Sequence, residues 1–289
     1  MSRTSNDLTL CQRIADVLDI ANPQDKAQQT RQLVAQYRSG LIQNAPPLNG
    51  STLSPKDRPA REDLPVLVPP SQVKKRSITR GTKGRFALLH AIAHIELNAI
   101  NLSLDIALRY GCVLGPDQAN PLFPEAFLLD WLGVADDEAK HFLLLDERLT
   151  DLEGRYGDLP AHDGLWESAI ATKDDPLARL AVVPMVLEAR GLDVTPLMIE
   201  KFAAVEDQKS IAALEIIYRD EIGHVDVGRR WFEELCSRDN LPFEDTWQEL
   251  VKKYFRGAVK RPFNQPARSQ AGMEPSYYEP LADWYEGLL

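Results

Sequence analysis

The sequence predicts an all-α protein built on a four-helix bundle. Three observations carry that expectation. Long segments place apolar residues at helical spacing between Gly, Pro and Asp; no stretch alternates as a strand would; and Asp-Glu-x-x-His occurs on two well-separated segments. Of 289 residues 44% are apolar and 26% charged, which is enough for a sizeable core.

Taken in order, residues 7–40 carry Leu10, Ile14, Val17 and Leu18, then Leu33, Val34 and Tyr37 beyond Asn22-Pro23. That pattern predicts an N-terminal helical hairpin over 1–43. Residues 44–81 hold Pro46, Pro47, Pro55, Pro59, Pro65, Pro69 and Pro70, so they form an extended arm rather than a helix. Its apolar Leu64, Val66, Leu67 and Val68 predict docking on the bundle. The bundle itself spans 82–257, with helices expected at 82–110, 122–154, 162–190, 195–238 and 243–257. A break is expected near Lys173-Asp174-Asp175-Pro176, an N-cap and first-turn proline at Thr195-Pro196, and helix stops at Gly111, Gly154 and Gly191. Residues 258–289, with Phe263, Tyr277, Tyr278, Trp284 and Tyr285, are expected to be an irregular tail wrapping over a surface.

Several function classes are set aside by composition. The net charge of −10 opposes general affinity for nucleic acid. Basic runs at 74–85 (Lys74, Lys75, Arg76, Arg80, Lys83, Arg85) and 252–261 (Lys252, Lys253, Arg256, Lys260, Arg261) still leave tRNA or another anionic substrate open, against the plainer reading of solvated charge. Cys11, Cys112 and Cys236 form no C-x-x-C pair, which excludes a rubredoxin-type centre or zinc ribbon within the chain and gives no sign of a disulfide framework. No long uncharged apolar run and no apolar signal core are seen, so no membrane span and a cytoplasmic location are expected.

The chemistry is concentrated in Asp137-Glu138-Ala139-Lys140-His141 and Asp220-Glu221-Ile222-Gly223-His224. Two-metal carboxylate sites in helical bundles take one Glu from each of two helices and Glu-x-x-His from each of the other two. Residues i and i+3 share a helix face, so one turn offers a carboxylate and an imidazole together. Asp and His of each motif are four apart, so Asp137 is expected to hold His224 across the bundle and Asp220 to hold His141. On helix 82–110, Leu89, Ile92, Ala93, Ala99, Ile100 and Ala107 fall within roughly 60° of Glu96. A lone carboxylate in that stripe is expected to be a metal ligand, the alternative being a side chain reaching water at the stripe's edge. Glu188, in Val182-Val183-Pro184-Met185-Val186-Leu187-Glu188, is the fourth carboxylate, its alternative a salt bridge to Arg190 or another arginine. Glu215 is a fallback that points to another side of its helix. His90 and His94 lie opposite Glu96 and are expected to meet the arm or a substrate pocket, with a metal pair as the other reading. His162 is expected at a cap or loop contact.

With His90-Ala91-Ile92-Ala93-His94-Ile95-Glu96-Leu97, Leu187-Glu188-Ala189-Arg190-Gly191-Leu192-Asp193 and the two Asp-Glu-x-x-His stretches, the chain resembles an uncharacterised bacterial ferritin-like family of unknown function. More distantly it is similar to di-iron tRNA hydroxylases and demethoxyubiquinone hydroxylases. The resemblance implies a ferritin-like bundle holding two divalent ions, Fe/Fe or Mn/Fe, on Glu96, Glu138, His141, Glu188, Glu221 and His224. The leading expectation is an oxygen-activating oxidoreductase or hydroxylase acting on an organic substrate. No flavin, nicotinamide or iron–sulfur signature is present, so an external reductase is the expected electron donor. A homodimer is open. The alternatives are a ferroxidase or iron-handling protein, and a non-enzymatic helical protein whose buried polar groups pair among themselves.

Overall fold

The computed structural model describes residues 9–42, 55–73, 81–113 and 122–288. These form an all-α helical bundle fold with no strands; the one extended pairing among them is an isolated bridge between Leu67 and Ala161. The chain divides into two units, the second beginning at Gly164.

In the first unit, α1 (Leu10–Leu18) starts on a capping box in which Thr9 and Gln12 satisfy each other's backbone N–H groups. α2 (Pro23–Arg38) starts on the Asn22 side chain, with Pro23 where its missing N–H is harmless. α3 (Thr82–Ile106) runs into a π segment, Ala107–Gly111, and pairs with α4 (Glu125–Asp151). The pairing is antiparallel. A Cβ at Gly111 would lie 2.5 Å from Leu128 at the start of α4, while His90 near the start of α3 meets Gly157 beyond α4's end. α2 lies along α4 through Tyr37–Glu125 (2.6 Å), Arg31–Asp136 and Gln24–Asp146.

The described part of the arm is docked through backbone pairs and through side chains such as Lys56 on Asp19 and Asn22 on Glu62. Ala60 N–H donates to Leu18 O, and Val68 N–H and Val66 O pair with Ala161. Of its apolar residues, Leu64 and Val66 are exposed and Leu67 and Val68 are half-buried. The buried ammonium of Lys26 ties the parts together by donating to Leu18 O, Ala60 O and Asn101 Oδ1. One disulfide is present of which the cysteine spacing gave no sign: Cys11 and Cys112, 101 residues apart, are bonded, because α1 lies beside the end of α3. The basic run at 74–85 lies largely outside the described residues. Thr82–Gly111 is long and apolar enough to cross a membrane by composition, yet 83% of its most apolar stretch is buried within the protein.

The second unit holds α5 (Gly164–Ala171), α6 (Pro176–Val182), a π segment (Val183–Glu188), α7 (Ala189–Ala203) and α8 (Gln208–Asp239). The break before Pro176 falls where expected, with Asp175 capping α6. The expected stop at Gly191 and restart at Thr195-Pro196 are not observed: α7 runs through both. Pro196 cannot donate to the carbonyl of Leu192, but the Asn264 side chain donates to it instead at 3.0 Å. The turn falls later, at 204–207, where Asp207 caps α8.

α9 (Phe243–Tyr254) is followed by α10 (Gln265–Gln270) and α11 (Pro275–Glu286), so the tail expected to be irregular is in good part helical. Pro275 sits at a helix start, and the carbonyl of Ser276 that Pro280 orphans accepts from Gln248 at 3.0 Å. A buried ion pair between Asp193 and Arg268 (2.7 Å) holds α10 to α7. The π segment and α7 together run antiparallel to α8: a Cβ at Gly228 would lie 2.3 Å from the Pro184 ring, and Asn264 bridges Leu192 O to Tyr218 Oη.

Candidate metal centre

On α3, Glu96 is 3% exposed; on α4, Glu138 and His141 are both 0% exposed. His141 Nδ1 lies 3.3 Å from Glu96 Oε2 and 3.4 Å from Glu138 Oε2. One donor atom from each of the three falls within 4.8 Å of the others. The antiparallel α3–α4 pair creates this level, because the middle of each helix meets the middle of the other. Glu96 therefore does not escape to water at the stripe's edge. Burial, and then the charge of Glu138, push its carboxyl well above the ordinary carboxylate range, with His141 opposing.

The second unit repeats the local arrangement on one helix. Glu221 Oε1 and His224 Nδ1 of α8 are 3.6 Å apart, at 7% and 3% residue exposure. Glu188 ends the π segment. Two contacts bracket its height. Pro184 packs on Gly228, and Asn264 bridges Leu192 O to Tyr218 Oη, so Glu188 is level with the stretch of α8 between Tyr218 and Gly228 that carries Glu221 and His224. Arg190 does not serve as a partner for Glu188; it is engaged by Asp193 and the carbonyls of Lys260 and Pro262. Glu215 is exposed, on a different face from Glu221.

Asp137 bonds Lys140 at 2.6 Å and Asp220 bonds Arg219 at 3.3 Å, both on their own helices. His90 and His94 both meet the loop after α4. His90 Nε2 accepts from Gly157 N–H at 3.0 Å, and its ring stacks on Tyr156. His94 Nδ1 is 2.7 Å from Tyr156 Oη, and its Nε2 is 3.1 Å from His162 O. Burial pushes His94 down to about 4, so it is a neutral imidazole that fastens the loop after α4. His162 is accordingly a loop contact. The polar side of α3, opposite Glu96, is buried too: Asn98, Asn101 and Asp105 engage His94, Lys26 and Arg109. A helix buried all round shows no single apolar face in its pattern. Tyr156 and Lys26 were missed for the same reason, since their partners are distant in sequence.

Fold and centre together define an all-α helical protein with a buried carboxylate–imidazole cluster able to hold a metal ion. The chain belongs to the family described as "Protein of unknown function (DUF455)", whose model matches residues 19–279. It is 42% identical over 266 residues to an "Uncharacterized protein" of Haemophilus influenzae (strain ATCC 51907 / DSM 11121 / KW20 / Rd), a match covering 90% of this chain and 89% of that one. No solved structure matches the chain.

Proposed function

We propose that this protein is a ferritin-like two-metal carboxylate protein, an oxidoreductase that uses oxygen to oxidise an organic substrate. The observation that carries the proposal is the buried group of Glu96, Glu138 and His141. Two ionised carboxylates about 5 Å apart repel by about 3 kcal/mol even at an effective dielectric of 20, beyond the desolvation of each. One imidazole does not balance two carboxylates, whereas a divalent cation converts the repulsion into ligation. The donor set of oxygen and imidazole nitrogen suits iron or manganese.

In the proposal Glu221 serves as a ligand alongside Glu96, Glu138 and His141. Glu188 and His224 complete the set expected from the two motifs. Four carboxylates neutralise the charge of two divalent ions, and burial keeps competing water away. In the proposal Asp137 and Asp220, which bond Lys140 and Arg219 on their own helices, would also steady the imidazoles of the opposite motif. Iron, as Fe/Fe or Mn/Fe, supplies redox chemistry toward oxygen when bound, with electrons delivered by a separate reductase.

The test is metal content after anaerobic Fe(II) loading and removal of excess. Glu138→Ala and Glu221→Ala lose bound metal while Glu215→Ala retains it. Protein that binds no metal, or equal loss in Glu215→Ala, overturns the reading.

A further inference from the structure

We infer that the second unit holds a binding pocket for a small monocarboxylate with an apolar body the size of one aromatic ring, between the π segment Val183–Glu188, α9 and the loop 255–263. The pocket measures ≈ 180 Å³. An apolar cavity of roughly 150 Å³ is enough to admit benzene. The inference stands apart from the metal centre and does not depend on it.

The apolar walls are held in place. Met185, Val186 and Leu187 form one side. Trp247 forms another, fixed by its indole N–H donating to Ala181 O at 3.0 Å. Phe255 folds back over Gly257, where a Cβ would lie 2.5 Å from its ring, so a side chain there would displace the ring. Phe263 is seated against Tyr278 and under the Arg268 guanidinium, 5.0 Å away.

The charge at this pocket is not balanced. Arg268 and Asp193 neutralise each other: Asp193 Oδ1 and Oδ2 accept from Arg268 Nε and Nη2 at 2.8 and 2.7 Å. That leaves Arg190 and Lys260 as two lining cations. Arg190 commits only Nη1, to Asp193 and the carbonyls of Lys260 and Pro262, so its Nε and Nη2 donors face no protein acceptor among the described residues. The Lys260 ammonium has no ion pair among the described residues, and it is exposed. An apolar pocket with an uncommitted guanidinium edge and a free ammonium matches a carboxylate head on an apolar body, since the planar edge takes both carboxylate oxygens. A neutral ligand would leave both cations unanswered.

Calorimetric titration of the full-length protein with benzoate, benzyl alcohol and inorganic phosphate tests this. Benzoate is expected to bind saturably, at least about tenfold more tightly than benzyl alcohol, a difference of the size that one charge-assisted contact supplies. Lys260→Ala should weaken benzoate and leave benzyl alcohol unchanged. Ala258→Trp, which fills the pocket, should abolish binding with an unchanged melting curve. Equal binding of benzoate and benzyl alcohol overturns the inference, as does benzoate binding that neither variant alters. Absence of saturation by about 10 mM does so too, being weaker than any of the affinities usually counted as binding. Phosphate displacing benzoate at equal concentration would make this an anion site without the apolar selectivity claimed.

Discussion

Gly228→Ala tests how the second unit holds its π segment. The added Cβ would lie 2.3 Å from both Cβ and Cγ of Pro184. Carbon atoms rest at about 3.5–4.0 Å, so the segment must retreat by more than about 1 Å, and a proline ring cannot rotate aside. Overpacking of this kind costs about 1–3 kcal/mol, against which the better helix propensity of alanine returns about 1. The net expectation is a loss of about 1 kcal/mol. Gly191→Ala is the control: it lies in α7 with nothing within 4 Å of its Cβ, and should gain roughly 0.5–1 kcal/mol from propensity alone. Urea denaturation followed by circular dichroism compares the two. Opposite signs are expected, separated by about 2 kcal/mol. If Gly228→Ala is as stabilising as Gly191→Ala, the close approach of the π segment to α8 is wrong, and the height assigned to Glu188 falls with it.

Three other perturbations follow from named contacts. Asp193→Ala leaves Arg268 buried without its carboxylate and should lose about 3–5 kcal/mol in urea denaturation, with Asp193→Leu/Arg268→Met recovering much of it. Reducing the Cys11–Cys112 bond opens a loop of 101 residues and should lower the unfolding free energy by up to about 4 kcal/mol, while a Cys11→Ser/Cys112→Ser variant becomes insensitive to reductant. Burial holds Lys26 down from an ordinary 10.5 to about 8. Between those values the unfolded chain carries the additional proton, so stability rises with pH from about 8 toward 10, by roughly 2 kcal/mol, and Lys26→Met should flatten that rise; an identical slope in the variant assigns the titration elsewhere.

What could be read in the sequence was what short spacing decides. Asn22-Pro23 and Asp175-Pro176 mark helix starts because cap and proline act on their own first turn. Glu138 with His141, and Glu221 with His224, share faces because three residues make nearly one turn. Glu96 stood out as a single charge in an apolar stripe, and α4 brings it its neighbours. What escaped reading depends on distant partners. Pro196 looks like a helix start until Asn264 is known to answer the carbonyl it orphans. Nothing local in Cys11 announces Cys112, and the polar side of α3 resembles a solvent face until Lys26, Arg109 and Tyr156 meet it. Basic residues in the tail also read as plain surface charge. Arg261 is indeed a surface clamp on Glu279, Asp283 and Glu286, whereas Lys260 lines a pocket.

The central claim is that the buried carboxylates and imidazoles exist to hold metal. Metal analysis of the purified chain after anaerobic loading with Fe(II) addresses it most directly. About two equivalents of metal per chain are expected, falling sharply in Glu138→Ala and remaining in Glu215→Ala. Protein that stays free of iron, manganese and zinc through that treatment contradicts the claim, and the cluster would then be a polar network internal to the fold.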